Sequence, residues 1–383
     1  MKILTIPSWY PTEDNKISGV FFKEQVEALK ENGVEGIILY IHFISLKQLF
    51  TTKLKVGFTS SIENGIKVYR YNTFNIFPKM YGLFFKYYSY LINKYFNIVS
   101  QKEGKFDLVH IHSAIYGAIA YNMSNINTPY IVTEHSTAFS MNEINDSVKK
   151  YLYGAFNNAE EVIVVGKGLL NDISKYRDKD SLKLIPNMLT LSEQYVEKDK
   201  NKTKFRFFSL GMLYNKKGMD VLIEAFNKNK DVFTDAELYI GGDGEEREKL
   251  EALINKYDLK DKILILGSLS REEVAFNMSN CDVFALASRF ETFGIVFLEA
   301  IAFGKPIIGT KTGGPDTIVN DVCGKIVEVD DVDGLAEAML NVYKDISKYD
   351  PKQIKDYCKN NFSKDVVANK IIDVYRSVIK NQG

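Results

Sequence analysis

Cysteine is scarce in this chain. There are three, Cys281, Cys323 and Cys358. They lie far apart and form no C-x-x-C pair, which fits neither a disulfide framework nor a zinc site. Buried apolar thiols in a reducing, cytosolic compartment are the expectation. Net charge is also lacking. Lys plus Arg and Asp plus Glu both number 49, and this balance argues against a nucleic-acid partner. No uninterrupted apolar run approaches the ~18 residues of a membrane span. The opening MKILTIP is interrupted too soon by Pro7 for a signal peptide and reads as a first strand. Short-period repeats and low-complexity segments are absent.

With 383 residues the chain exceeds one comfortable core, so two domains of about 190 residues each are expected. The 45% apolar and 26% charged content is that of a soluble globular protein. Short β-branched runs alternate with helical periodicity, the pattern of α/β parallel sheets. Strands are expected near 2–6, 36–41, 66–71, 107–111, 130–133, 161–165 and 182–185. After a polar stretch at 190–204 they resume near 205–210, 236–240, 262–266, 282–286, 306–309 and 324–328. Helices are expected at about 218–228, 245–256, 271–279, 294–303 and 333–344. The division is therefore a first domain over 1–189, a linker over 190–204 and a second domain over 205–365. The neutral total hides an asymmetry: residues 44–102 hold nine bases and one acid, Glu63.

The most informative segment is EtFGIVFLE. Glu291 and Glu299 stand eight positions apart around Phe293-Gly294. An apolar run follows Gly294, so this glycine opens a helix, with Glu291 in the loop before it and Glu299 one turn in. A helix start offers free N–H groups and partial positive charge to a phosphate. Flanking carboxylates accept hydrogen bonds from sugar hydroxyls. Together these are the needs of a nucleotide-sugar. The spacing alone fits equally a helix-start carboxylate and a solvated helix face.

The segment SRFETFGIVFLEAIAFGKPIIGTKTGGPDTIV resembles the signature of glycosyltransferase family 4, retaining enzymes of the GT-B fold. Upstream, SLGMLYNKKG resembles the family's G-R-L-x-x-x-K-G, and GGDGEEREKL its G-x-G-x-x-x-x-x-L. KISGVFFKEQVEAL resembles the donor-facing glycine loop with its helix. The resemblance runs through the whole chain and is denser in the second half. It implies two Rossmann-like parallel-sheet domains facing a central cleft, with the donor on the second domain and the acceptor on the first. It also implies that the final helix, about 366–383, crosses back onto the first domain.

Carried over residue by residue, the resemblance makes Lys217 the diphosphate cation, with the N–H groups of Phe293, Gly294 and Ile295 beside it. Glu299 would hold the ribose, Glu291 the donor sugar, and Gly19 would let backbone N–H groups approach the donor. Ser288 and Arg289 would border the nucleotide. His135, just past a strand in IVTEHS, would be the catalytic-side histidine. His112 is a second candidate, whereas His110 reads as core. The chain departs from the family at Met212, where an arginine is usual. The glycine turn Gly241–Gly244 fits either a nucleotide lining or a plain turn. Two D-x-D runs, Asp178–Asp180 and Asp331–Asp333, look incidental. Asp330 and Asp331 read as helix caps, and no metal ligand is assigned.

Residues 74–96 hold ten aromatics and three lysines without an acid. This suits a membrane interface, and equally a buried helix. The expected function is retaining, metal-independent sugar transfer from a nucleoside-diphosphate sugar to a glycan or lipid-linked acceptor, in surface polysaccharide or glycoconjugate synthesis. No cofactor is needed beyond that co-substrate. Peripheral contact with the inner face of the membrane through residues 44–102 is expected. A catalytically weak nucleotide-binding scaffold, favoured by Met212, and a GT-B sugar-nucleotide epimerase are the alternatives.

Overall fold

A computed structural model describes residues 1–16, 18–189, 197 and 199–382. Most of the 190–204 stretch expected as a linker lies outside the described residues. The chain forms two compact units. The first comprises Met1–Val165, Leu169–Thr190 and Lys364–Gly383; the second comprises Gly166–Gly168 and Leu191–Ser363.

Among the described residues the first unit contains an eight-stranded sheet. Its strands are β1 (Lys2–Pro7), β2 (Glu35–Ile44), β3 (Gly57–Glu63), β4 (Ile66–Phe74), β5 (Leu108–His112), β6 (Tyr130–Glu134), β7 (Glu161–Val164) and β8 (Leu182–Leu184). Their order is β3-β4-β2-β1-β5-β6-β7-β8. Every residue of β5 and β6 is buried, as expected for central parallel strands covered on both faces. Only β3 runs antiparallel, pairing with β4 from Glu63↔Ile66 outward. Sequence reading did not foresee β3, because its outward positions are solvated and it lacks an apolar run. The available signal was Asn64-Gly65, both at positive φ (48° and 75°), the dipeptide favoured in two-residue hairpin turns.

The helix Lys364–Lys380 completes the core of this unit. Val367, Ile371, Ile372, Tyr375 and Val378 pack with Ile3, Leu29, Leu108, Ile131 and Ile163. The spacing is that of one helical stripe, and each such aliphatic side chain contributes about 1.5–3 kcal/mol by leaving water. His110 on β5 donates or accepts at both ring nitrogens, 2.7 Å from Tyr375 Oη and 2.7 Å from Thr133 Oγ1.

The aromatic run at 74–96 is a core helix rather than a membrane face. In the helix Tyr81–Glu103 the rings of Phe84, Phe85, Tyr88, Tyr95 and Phe96 are buried. Phe43 of β2 lies 4.8 Å from both Phe84 and Tyr88. Of the ten aromatics only Tyr90, at 61%, is exposed. The apolar side chains that do face solvent nearby are Leu46, Leu49, Phe50, Ile76, Met80 and Leu83. They lie just beyond the paired ends of β2 and β4, where Ile44 is in register with Phe74.

In the second unit, six parallel strands follow the order β11-β10-β9-β12-β13-β14. They are β9 (Phe205–Leu210), β10 (Ala236–Gly241), β11 (Ile263–Gly267), β12 (Val283–Ala285), β13 (Ile307–Thr310) and β14 (Gly324–Val327). The loops after β9 and β12 carry the residues of interest. All three cysteines are free and buried. No described helix is long and apolar enough to cross a membrane.

Tyr375→Phe tests how far the final helix secures the first unit. It removes the Tyr375 hydroxyl and leaves His110 Nδ1 buried without that partner, a cost of about 1–3 kcal/mol. The expected result is a lower urea midpoint in the fluorescence of Trp9, the single tryptophan of the chain.

Candidate active site

In the second unit, the chain leaving β9 makes a single turn at Asn215–Lys217 before the helix Met219–Lys228. The Lys217 stem lies across Gly211, where an added Cβ would meet its carbons at 3.5 Å. Its Nζ reaches Glu291 Oε2 at 2.5 Å, in a pair largely shielded from solvent. Sequence separation therefore collapses here: the expected phosphate cation and one of the two expected hydroxyl acceptors are in contact.

Gly294 is the N-cap of the helix Ile295–Ala302 and sits at φ 87°. A side chain there would strain the backbone and come within 2.6 Å of the Phe297 ring. No side chain caps this helix start, so its first N–H groups point forward uncommitted to a cap. Glu299 lies one turn in and is half-buried. Ile295 is half-buried, whereas Phe293 is a core ring 6.4 Å from Phe362, so only its backbone bears on the site. Ser288 is fully buried, and its hydroxyl has no hydrogen-bond partner among the described residues.

The structure brings Arg289 into a role that the sequence did not reveal. Its guanidinium donates to both carboxylate oxygens of Asp220 (3.0 and 2.7 Å), to Asp330 Oδ1 (2.6 Å) and to the Asn215 carbonyl (2.7 Å). Its backbone N–H donates to the Lys216 carbonyl at 2.8 Å. Arg289 thus fastens the turn bearing Lys217 to the loop bearing Glu291, instead of presenting a free cation to a nucleotide. Burial alone would raise the Asp220 carboxyl, but the Arg289 contacts outweigh it and hold the group below the usual carboxylate range. The partners are 69 and 41 positions away, beyond the reach of any local pattern.

Asp330, expected as a cap, is committed to Arg289; Asp331 alone caps the next helix, accepting from the Gly334 N–H at 2.8 Å. Met212 stands 53% exposed where the family has arginine. The turn at Gly241–Gly244 serves packing. A Cβ on Gly242 would sit 1.9 Å from the Gly211 carbonyl oxygen, and one on Gly244 would sit 2.6 Å from that of Leu213. These glycines let two strand-to-helix loops touch, which supports the loop of Lys217 from behind.

In the first unit, Gly19 is the left-handed N-cap of the helix Val20–Glu31, against the Trp9 backbone. His135 follows β6 and is almost fully buried. Its ring lies 5.1 Å from Phe22 and 5.2 Å from Phe21, and its Nε2 is 3.2 Å from His112 Nδ1. Burial keeps all three histidines neutral. It pushes His110 and His135 down to about 3, and His112 well below the ordinary value. A neutral His135 can exchange hydrogen bonds with a sugar but brings no charge to it.

Glu134 beside it was not foreseen. It is fully buried and accepts from Ser113 Oγ (2.7 Å) and from the N–H groups of Ala114 (2.7 Å), His135 (2.9 Å) and Ser136 (2.8 Å). Burial raises its pKa against those four donors. The carboxyl joins the end of β6 to Ser113, which is held at φ 71°.

Comparison with known proteins agrees with this architecture. Residues 20–193 match the model described as Glycosyltransferase Family 4, and residues 192–361 match Glycosyl transferases group 1. An uncharacterised glycosyltransferase of Methanocaldococcus jannaschii is 33% identical, over 67% of this chain and 72% of its own length. The N-acetyl-alpha-D-glucosaminyl L-malate synthase of Bacillus anthracis is 25% identical over 94% of this chain and 93% of its own. An Anabaena protein solved in complex with UDP superposes with a TM-score of 0.71 at 16% identity, covering 98% of this chain and all of that one. The fold is that of a GT-B glycosyltransferase, two Rossmann-like parallel-sheet units in one chain. The chain belongs to glycosyltransferase family 4.

The buried histidines make a pH prediction. Their folded pKa values are depressed, so the unfolded chain binds protons first as the pH falls below the ordinary histidine range. Stability is then present above about pH 6.5 and is lost progressively toward about pH 3. The three groups act in the same direction. Urea titrations followed at Trp9 should show a clearly lower midpoint at about pH 5.5 than at about pH 7.5, and unchanged midpoints would contradict neutral burial.

Proposed function

We propose that the protein transfers a sugar, with retention, from a nucleoside-diphosphate sugar to a glycan or lipid-linked acceptor in surface polysaccharide or glycoconjugate synthesis. The Lys217–Glu291 pair beside the uncapped helix start at Gly294 carries this reading. In the proposed reaction the diphosphate takes Lys217 from Glu291 and rests on the N–H groups following Phe293. The released Glu291 carboxylate turns to the donor sugar, and Glu299 holds the ribose hydroxyls. Lysine and helix start together offset the leaving charge, so no metal is required. Retention proceeds by front-face attack, without a protein nucleophile, and His135 is the first unit's contribution to the chemistry. The UDP bound by the Anabaena relative supports a nucleoside diphosphate as the donor class.

The proposed membrane contact runs through the loops just past β2 and β4 rather than through the aromatic helix. Phe50 is 94% exposed there, and Leu46, Leu49, Ile76 and Met80 accompany it beside Lys47, Lys53 and Lys79. Exposed apolar tips with lysines suit an anionic lipid surface.

Turnover of the true donor should survive chelation by EDTA. Lys217→Ala should cost roughly 2–4 kcal/mol of transition-state stabilisation. Glu299→Ala should chiefly raise KM and Glu291→Ala chiefly lower kcat, each by about 10- to 100-fold. Activity abolished by EDTA and restored by Mn²⁺, or wild-type kinetics in both glutamate variants, would defeat the reading.

Met212→Arg places a guanidinium on an exposed side chain of the same loop. It should tighten nucleoside-diphosphate binding by about tenfold through a charge-assisted contact. Calorimetric titration with UDP, GDP and ADP measures this, and unchanged affinity for all three would mean that the position does not face the diphosphate.

A further inference from the structure

The first unit contains a cavity of about 530 Å³ at the ends of β1 and β2. Rings of Trp9, Phe43 and Tyr116 form part of its wall, together with the amides of Asn15, Gln48 and Asn75, whose oxygens accept from the backbone N–H groups of Ser18, Ser45 and Phe77. Flat rings together with amide NH2 donors suit a sugar, whose C–H faces stack on the rings while its hydroxyls accept from the amides. His42 lines the same space, with the Asn72 side chain beside its ring. No lysine or arginine is among the described residues that line it, and the one carboxylate, Asp14, is already bonded to Thr52 Oγ1 at 2.7 Å. This cavity therefore suits a neutral, hydroxylated ring and offers nothing to neutralise a carboxylate or a phosphate.

A second cavity of about 590 Å³ adjoins it, sharing Thr12 and Leu54 as walls. Here the lining includes Lys16, Lys53 and Lys55, none of which pairs with an acid among the described residues. Arg70 in the same wall is committed to Glu63. The two cavities divide their chemistry: rings and amides line one, and in the other three lysines outnumber the one carboxylate left beside the Arg70–Glu63 pair, that of Glu13.

We propose that these joined cavities are the acceptor site and that the acceptor is a glycosyl phosphate, its sugar ring in the aromatic cavity and its phosphate among Lys16, Lys53 and Lys55. This deepens the proposed function and rests on it for the word acceptor. The same chemistry is presented by a soluble sugar phosphate and by a sugar carried on a phospholipid. A dicarboxylate such as malate, named for the Bacillus anthracis relative, fits the aromatic cavity poorly.

Trp9 lines the first cavity and is the single tryptophan of the chain, so its fluorescence reports occupancy directly. The intact protein is titrated with anomeric phosphates and methyl glycosides of glucose, galactose and their 2-acetamido forms, and with L-malate and inorganic phosphate. At least one sugar phosphate should perturb Trp9 at about tenfold lower concentration than its methyl glycoside, a preference worth one charge-assisted contact. The preference should vanish in the double variant Lys53→Glu/Lys55→Glu and in about 0.5 M salt. Gln48→Ala and Tyr116→Ala, both changes of solvent-facing side chains, should weaken phosphate and glycoside alike. A dodecyl ester of the preferred sugar phosphate separates the sources: tighter binding identifies a lipid carrier, equal binding a soluble one, and either supports the site.

The proposal is overturned if no sugar perturbs Trp9, if glycosides equal their phosphates, if the lysine variant keeps the preference, or if malate binds best. Donor binding is read separately, by thermal shift with UDP-, GDP- and ADP-sugars in wild type and Lys217→Ala. A Trp9 response without any donor binding would fail the transferase reading and leave the site standing; donor binding without a Trp9 response would do the reverse.

Discussion

The second unit's candidate site depends on one guanidinium. Arg289 gathers Asp220, Asp330 and the Asn215 carbonyl around a single planar group. A fork of fixed donors imposes geometry that a lysine would not. Three chain segments distant in sequence are thereby held in one register, and the Lys217–Glu291 contact follows from it. The guanidinium is shielded while Asp220 and Asp330 remain partly exposed, so the network's weight lies in positioning rather than in net stability. Breaking one arm would leave a partly buried charge without its partner, which is why all three acceptors act together.

The two units solve the problem of buried polar groups differently. In the second, charges are kept and paired, so an incoming anion exchanges one partner for another on Lys217. In the first, burial suppresses charge: three histidines remain neutral and share hydrogen bonds with Tyr375, Thr133 and one another. Glu63 and Glu103 are paired with Arg70 and Lys67, and Glu134 is tolerated because four donors surround it. Its orientation of the Ser113 turn and of the His135 backbone makes it the counterpart of Arg289 in this unit.

What the sequence could disclose was local. Alternating β-branched runs and helical stripes led to the α/β class, and the apolar run after Gly294 located the helix start with Glu299 one turn in. Contacts across long separations were illegible. Nothing near Arg289 pointed to Asp220 or Asp330, and nothing near Glu134 marked it as buried. The aromatic run was ambiguous because rings at helical spacing look the same against a core as against lipid, and only the position of Phe43 decides. The glycine turn at Gly241–Gly244 fitted a nucleotide lining and a plain turn equally, because close approach by a backbone and by a phosphate require the same missing Cβ. The Asn64-Gly65 hairpin was legible and overlooked, its strand being too polar for a search led by hydrophobicity.

The helix Lys364–Lys380 belongs to the first unit although the whole second unit precedes it in the chain. During synthesis, which runs from the amino end, Ile3, Leu108 and Ile131 emerge long before Ile371 and Tyr375 that cover them. The nascent first unit must wait with an apolar face open and His110 short of one partner, while the second unit, continuous apart from Gly166–Gly168, can close on its own. The later half of the protein is thus free to mature first, and the earlier half depends on a helix made after it.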